Sequence, residues 1–242
     1  MMSQSIKTHL AKQGNIPVML IPLTENLWHV PHAFRVNGLP ITTRLTVVRL
    51  PGRKLWLHSP IPITDGLHAE LEALGAVEFI VAPSKNHHLF LAHCAAAFPQ
   101  ARLYGAPGLR AKRPDVGGLQ ELSSTLPGPW QPELEHMLFG GIPFANETVW
   151  LHRPSGTLII TDLLQWWRGP LPWAARSYAA LTGVRRQLAV ARTVRALVRD
   201  RLAARSSAEQ ILRWPFTRVI VAHNAVVEEN AHAEAARALA WF

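Results

Sequence analysis

The stretch NETVWLHRPSGTLIITDLL (146–164) contains the pattern that decides the fold. Two runs rich in β-forming residues, Glu147–His152 and Thr157–Thr161, flank a Pro154-Ser155-Gly156 turn, which predicts a β-hairpin. Asp162 follows the second run directly. Because open α/β sheets place functional groups at the carboxyl ends of their strands, Asp162 is the first candidate site residue.

Upstream of this hairpin, predicted strands alternate with predicted helices. The turn Pro51-Gly52 separates two strands, and Gly75 is a typical helix C-cap. This βαβ order requires a sheet with helices packed on it. The predicted strands are Ile16–Leu23, Leu27–Val30, Thr43–Leu50, Lys54–His58, Val77–Ala82 and Ala101–Tyr104, and the predicted helices are Leu67–Leu74 and Leu89–Phe98.

Downstream, the sequence changes character. The spacing of leucines and valines predicts a long helix over Gly183–Arg205, followed by a buried strand at Val219–Ala222 and a closing amphipathic helix at Glu229–Trp241. We expect residues 1–242 to form one domain. Within it, residues 163–208 form a Trp/Arg-rich loop and helical insertion that covers the site.

This insertion contains most of the net positive charge of the chain. It has nine arginines and a single acid, Asp200, in a chain of net charge +9. An anionic partner is one interpretation, in the form of a substrate, a nucleic acid or a membrane surface. The other is an arginine-rich helix face in contact with water. Nucleic acid is not favoured, because no recognised binding motif accompanies the charge.

Composition limits the class of protein. The 242 residues are 48% hydrophobic and 17% charged, the balance of a folded globular protein. The only cysteine is Cys94, so no internal disulfide forms, cysteine-rich zinc sites are excluded and a reducing cytoplasm is expected. No apolar run reaches the roughly 18–20 residues that span a bilayer. The N-terminal stretch beyond Lys7 and Lys12 is short and broken by prolines, which favours a strand over a signal peptide.

Four candidate sites each follow an apolar strand. They are His58-Ser59, His87-His88, Asp162 and His223. A single histidine in such a place is more often a hydrogen-bonded structural residue. If the strands are neighbours, however, the side chains meet, and imidazole and carboxylate groups suit zinc, iron or manganese.

The order of these strand ends resembles the metallo-β-lactamase superfamily. Within it, the sequence is most similar to a mainly bacterial family of unknown function, domain of unknown function 4336. The resemblance lies in LTVVRLPGRKLWLHSPIPI (45–63), VAPSKNHHLFL (81–91), NETVWLHRPSGTLIITDLL (146–164) and ILRWPFTRVIVAHN (211–224). It implies an α/β fold, a four-layer αββα sandwich with the site at the edges of the sheets.

The superfamily's main metal motif is His-x-His-x-Asp-His, and this chain departs from it. If His88 takes the place of the last histidine, His87 takes the place of the aspartate. Lys85 and Pro83 then stand where the first two histidines are expected. The next histidine of the superfamily has no counterpart in residues 144–147, which end with Glu147.

The rest of the superfamily's site is retained. Asp162 matches the bridging aspartate, and His223 matches the final histidine. The resemblance therefore implies a site reduced to one metal, zinc, iron or manganese, or to none, with His87, His88, Asp162 and His223 as ligands.

Six further residues are candidates. In place of a metal, the ammonium of Lys85 would supply positive charge, and Glu147 would act as a ligand or base unless it caps its strand or pairs with Arg153. Arg44 is a buried ion-pair partner or binds an anionic substrate. The substrate-binding candidates are Arg44, His58, Trp166 and Arg168.

Two classes of function follow. The first is a metal-dependent hydrolase with one metal, acting on a small molecule of anionic or amphipathic character. The second is a non-catalytic descendant that keeps the fold but binds a small anionic ligand or a protein partner, because fold does not imply function. Oxidoreductase chemistry on one iron is a minor third class.

Overall fold

A computed structural model describes residues 19–123 and 126–242. Two β-sheets pack face to face, and helices cover both outer faces. This arrangement confirms the αββα sandwich. Of the predicted strand Ile16–Leu23, residues 16–18 lie outside the described residues, and the structure has a strand at Ile21–Thr24.

The first sheet has seven strands in sequence order. Its first four strands are antiparallel, and its last four are parallel, with one strand common to both sets. The strands are β1 (Ile21–Thr24), β2 (Leu27–Val36), β3 (Leu39–Leu50), β4 (Lys54–His58), β5 (Ala76–Ala82), β6 (Arg102–Gly105) and β7 (Gln120–Glu121).

The second sheet has five strands in the order β12-β11-β10-β9-β8. Only β10 and β11 are parallel, so Asp162 and His223 follow strands that end at the same edge. The predicted hairpin is β9 and β10. The strands are β8 (Leu134–Leu138), β9 (Thr148–His152), β10 (Thr157–Ile159), β11 (Arg218–Ile220) and β12 (Val226–Val227).

Seven helices occur in the described residues. The first sheet is covered by α1 and α2, and the second by α6 and α7, while α4 packs against the end of β3. The helices are α1 (Asp65–Leu74), α2 (Leu91–Ala97), α3 (Leu109–Lys112), α4 (Trp173–Thr182), α5 (Arg192–Arg195), α6 (Arg201–Leu212) and α7 (Ala231–Leu239), with a 3-10 turn at Pro51–Arg53.

Side-chain alternation along the strands separates the layers. In β4, Leu55 and Leu57 pack under the helices, while Trp56 points between the sheets. In β9, Trp150 points inward and contacts Trp56 with ring centroids 4.8 Å apart. Because side chains alternate with period two, each strand joins one outer layer to the shared inner layer.

The predicted long helix over Gly183–Arg205 is wrong. Helix α4 ends before Gly183, which has φ +84° and closes it as a left-handed C-cap. A new helix, α6, begins after Asp200, whose side chain accepts a hydrogen bond from the Ala203 amide at 3.0 Å. Within residues 19–123 and 126–242, no helix is long and apolar enough to cross a membrane.

Candidate metal centre

Three of the predicted ligands meet at one edge of the sandwich. One ligand atom each from His87, Asp162 and His223 lies within 4.8 Å of the other two. Asp162 Oδ1 is 3.0 Å from His223 Nε2 and 3.3 Å from His87 Nε2. Two imidazoles therefore converge on one carboxylate oxygen.

His87 is directed into the site by a turn after β5. The hydroxyl of Ser84 accepts hydrogen bonds from the amides of Asn86 and His87, at 3.2 and 3.1 Å. Such a side-chain turn reverses the backbone locally. On its far side, His87 Nδ1 lies 2.9 Å from Ser59 Oγ, so Ser59 orients the ring.

His223 is held by the opposite sheet. It follows β11 in a tight turn where Asn224 has φ +64°. Its Nδ1 lies 2.6 Å from the carbonyl oxygen of Thr42 in β3. A carbonyl only accepts, so Nδ1 carries the proton, and in a neutral imidazole Nε2 presents a lone pair to Asp162.

Glu147 anchors the loop that carries Asp162. Its buried carboxylate accepts hydrogen bonds from the amides of Thr161, Asp162 and Leu163 at 2.6, 2.9 and 2.9 Å. These amides follow strand β10, and their hydrogen bonds go to this side chain and not to a neighbouring strand. Glu147 is therefore a positioning residue, and it is not among the three converging side chains.

The electrostatics of the three-residue group are dominated by Asp162. Burial opposes ionisation of Asp162, but His87 and His223 outweigh it and hold its pKa well below the usual value. Burial lowers the pKa of His87, yet the charge and hydrogen bond of Asp162 and the charge of Glu147 outweigh it, so that pKa is raised. Burial and the charge of Asp162 raise the pKa of Glu147 to about 7, against the pull of the Thr161 amide.

The donor set fits a metal ion. With bonds of about 2.1 Å, a tetrahedral zinc ion has ligand atoms roughly 3.4 Å apart. The two nitrogen-to-oxygen distances, 3.0 and 3.3 Å, are close to that value. With the His223 proton on Nδ1, the 3.0 Å contact between Nε2 and Asp162 Oδ1 is favourable only when a second proton or a cation lies between the two atoms. Two imidazoles and one carboxylate are ligands for zinc, iron or manganese.

His88, in contrast, does not belong to the group. Its Nδ1 lies 3.1 Å from Arg113 Nη1, which also donates to its carbonyl oxygen at 2.7 Å. Burial, together with the charges of Lys112 and Arg113, lowers the pKa of His88 to about 4. His88 lines the cleft beside Asp162 as a neutral ring.

Lys85 also points elsewhere. Its Nζ donates to the carbonyl of Pro143 at 2.9 Å, beside Gly108. It is absent from the side chains that line the two cavities next to Asp162. The prediction that its ammonium enters the site does not match this placement.

Arg44 and His58 lie between the sheets. Arg44 is 4% exposed, and its Nη1 lies 3.0 Å from His29 Nδ1, so its partner is an imidazole and not a carboxylate. Burial lowers the pKa of Arg44 to about 10. His58 stacks on Trp56, 5.1 Å between centroids, and neither His58 nor Arg44 lines a cavity beside Asp162.

The insertion contacts the site through a different tryptophan from the one predicted. Trp167, and not Trp166, packs on His223 with ring centroids 5.4 Å apart. Trp166 instead lies under the guanidinium of exposed Arg168, 4.5 Å away. A mutual backbone pairing of Gln165 with Ala189 sets which side chains face inward, and sequence alone does not reveal it.

Two cavities meet at Asp162 and Asn86. One is a cleft of about 340 Å³ under the first sheet's edge, with His87 and His223 in its wall. The other, about 180 Å³, is lined by Glu147 and by the insertion. The insertion contributes Leu163, Gln165, Tyr178, Thr193, Val194 and Leu197 to this wall, and none of its arginines.

Similar proteins support the fold. The sequence model of the family described as Domain of unknown function (DUF4336) matches residues 24–168. No curated protein matches the sequence significantly.

Solved structures with a similar fold include metallo-β-lactamases. One from Pontibacter korlensis has a TM-score of 0.63 and 11% identity, covering 92% of this chain and 98% of its own. One from Erythrobacter litoralis, with beta mercaptoethanol in its active site, has a TM-score of 0.66 and 12% identity, covering 92% and 96%. At this identity the likeness shows the fold alone.

Proposed function

Because the chain belongs to the DUF4336 family and has the metallo-β-lactamase fold, we propose that it is a metal-dependent hydrolase with a single metal ion. The observation that carries the proposal is the convergence of His87 and His223 on one oxygen of Asp162. Zinc, iron and manganese all suit these three ligands.

The protein's own groups prepare this site. Thr42 and Ser59 fix the two imidazoles, so that both Nε2 atoms face Asp162. Glu147 holds the Asp162 backbone in place. A bound metal would supply a Lewis acid that polarises a carbonyl or phosphoryl oxygen and acidifies water.

The cleft beside these ligands suits a small molecule with an apolar part. Phe34, Ile41 and Phe90 form much of its wall, and Lys112 is its one lysine or arginine among the described residues. The insertion's arginines line neither cavity, so their charge gives no support to an anionic substrate. We therefore propose a small substrate bound mainly through an apolar group, with its reacting group beside the three proposed ligands His87, Asp162 and His223.

Metal content tests the proposal. Protein purified without chelator is expected to contain about one equivalent of zinc, iron or manganese by elemental analysis. Asp162→Asn and His223→Gln should each remove most of it, because a metal ligand is lost. His88→Gln is the matched control: it changes a histidine of the same cleft that lies outside the group, and it should retain the metal.

Hydrolysis is then measured with the metal-loaded protein on ester, thioester and phosphodiester panels that vary in apolar size. Wild type should turn over at least one class, and Asp162→Asn should not. A protein without metal after reconstitution with all three ions would refute the proposal. That result would favour the non-catalytic alternative, in which a proton occupies the space between His223 and Asp162.

A further inference from the structure

Helix α4, Trp173–Thr182, exposes two large apolar side chains. Trp173 is 76% exposed and Leu181 is 73% exposed. At 100° per residue they lie about 80° apart around the helix axis. The opposite side of α4, with Ala175 and Ala179, is buried against the domain. The outward face is therefore apolar at both ends and has no partner among the described residues.

Positive charge surrounds this face. Arg176 is exposed and lies about 60° around the helix axis from Trp173, on the side away from Leu181. Arg192 donates to the carbonyl of Leu181 at 3.0 Å, which places its guanidinium beside that end of the helix. Arg186 is exposed in the loop after α4. The face is therefore amphipathic and basic.

The charge is not neutralised within the protein. Of the insertion's nine arginines, only Arg205 forms an ion pair within residues 19–123 and 126–242, with Glu209 at 3.0 Å. The arginines also line neither cavity beside Asp162. Their charge is thus directed to the outside of the molecule.

We propose that the outward face of α4 binds the surface of a bilayer that contains anionic lipids. Tryptophan and leucine enter the boundary between headgroups and acyl chains, and arginines beside them attract anionic headgroups. A nucleic acid would neutralise the arginines but offer no partner to Leu181. The combination of charge with exposed apolar side chains therefore favours lipid.

The test is co-sedimentation with vesicles, using the intact protein. Wild type is expected to bind vesicles of phosphatidylcholine with about one third phosphatidylglycerol, and to bind much less to phosphatidylcholine alone. Trp173→Ala with Leu181→Ala should weaken binding by about tenfold. Arg176→Glu with Arg186→Glu should weaken it by at least that factor, since each arginine near the surface contributes about fivefold.

Leu202→Ala is the matched control. Leu202 is 82% exposed on α6, which packs on the second sheet, whereas α4 packs against β3 of the first sheet, so binding should not change. Quenching of tryptophan fluorescence by brominated lipid should also decrease in Trp173→Phe, which keeps the apolar side chain. Metal content plays no part in these measurements, so their outcome is separate from that of the hydrolase proposal.

Three results would overturn the inference. They are no binding to anionic vesicles, equal loss of binding in Leu202→Ala and the α4 variants, and binding to an oligonucleotide or an acidic protein without binding to vesicles.

Discussion

Replacing Glu147 by glutamine tests whether this residue anchors the Asp162 loop. Its carboxylate accepts three backbone amides in the buried interior. An amide side chain keeps one acceptor oxygen, and its best orientation retains the Asp162 and Leu163 bonds. The Thr161 amide then faces an NH2 group. One orphaned buried donor, with the loss of charge, is expected to cost about 2–3 kcal/mol of unfolding free energy.

The assay is urea unfolding followed by far-UV circular dichroism at pH 8, above the pKa of about 7 of Glu147, so that the wild-type carboxylate is ionised. Glu147→Ala, which removes all three acceptors, should cost about 3–5 kcal/mol. Glu121→Gln is the matched control, because exposed Glu121 accepts one amide, that of Gly108, at 2.9 Å. It should cost less than about 0.5 kcal/mol. A Glu147→Gln protein as stable as wild type would refute the anchoring argument.

Three more predictions concern His152, Trp167 and Lys85. Burial lowers the pKa of His152 to about 4, so the neutral ring stabilises the folded protein fully above the unfolded pKa of 6.5, and this contribution is lost as the pH falls towards 4. Between pH 7.5 and 4.5, the unfolding free energy of wild type in urea titrations should therefore fall by about 2.5 kcal/mol more than that of His152→Gln. Equal decreases in the two proteins would contradict this assignment. Trp167→Leu should weaken metal affinity about tenfold in competition with a chelating dye, because it removes the ring that packs on His223; unchanged affinity would show that this ring does not orient the ligand. Lys85→Ala should leave metal content unchanged, because Lys85 Nζ donates to the Pro143 carbonyl; loss of metal would return Lys85 to the site.

The sequence allowed most of the sheet framework to be predicted. Strand β4 was predicted with its observed bounds, because a Pro-Gly turn precedes a compact apolar run. Asp162 and His223 were predicted to lie close together because each follows a buried strand, and the parallel pairing of β10 with β11 confirms that the two strand ends are adjacent. These signals come from residues that are neighbours in the chain, so a single sequence is enough to detect them.

The features that were not predicted from the sequence depend on long-range contacts or on helix caps. Because of the turn at Ser84, the side chain that faces the site is His87 and not His88. Because Gln165 pairs with Ala189, the tryptophan that faces the site is Trp167 and not Trp166. A shift of one residue exchanges the two sides of an extended segment, so periodicity alone does not fix the choice. Residues Gly183–Arg205 were predicted as one helix because the caps at its interruptions were outweighed by the spacing of leucines and valines.

The hydrogen bond from His223 to Thr42 joins residues 181 positions apart and belonging to different sheets. His223 takes this orientation only after the two sheets have packed against each other. The free energy of binding a metal there would therefore add to the unfolding free energy of the whole sandwich and not to that of one hairpin. A bound ion would link segments that are far apart in the chain, and closing such long loops costs conformational entropy. Chelation should therefore lower the unfolding temperature of both sheets together, and fragments containing only one sheet should not retain the ion.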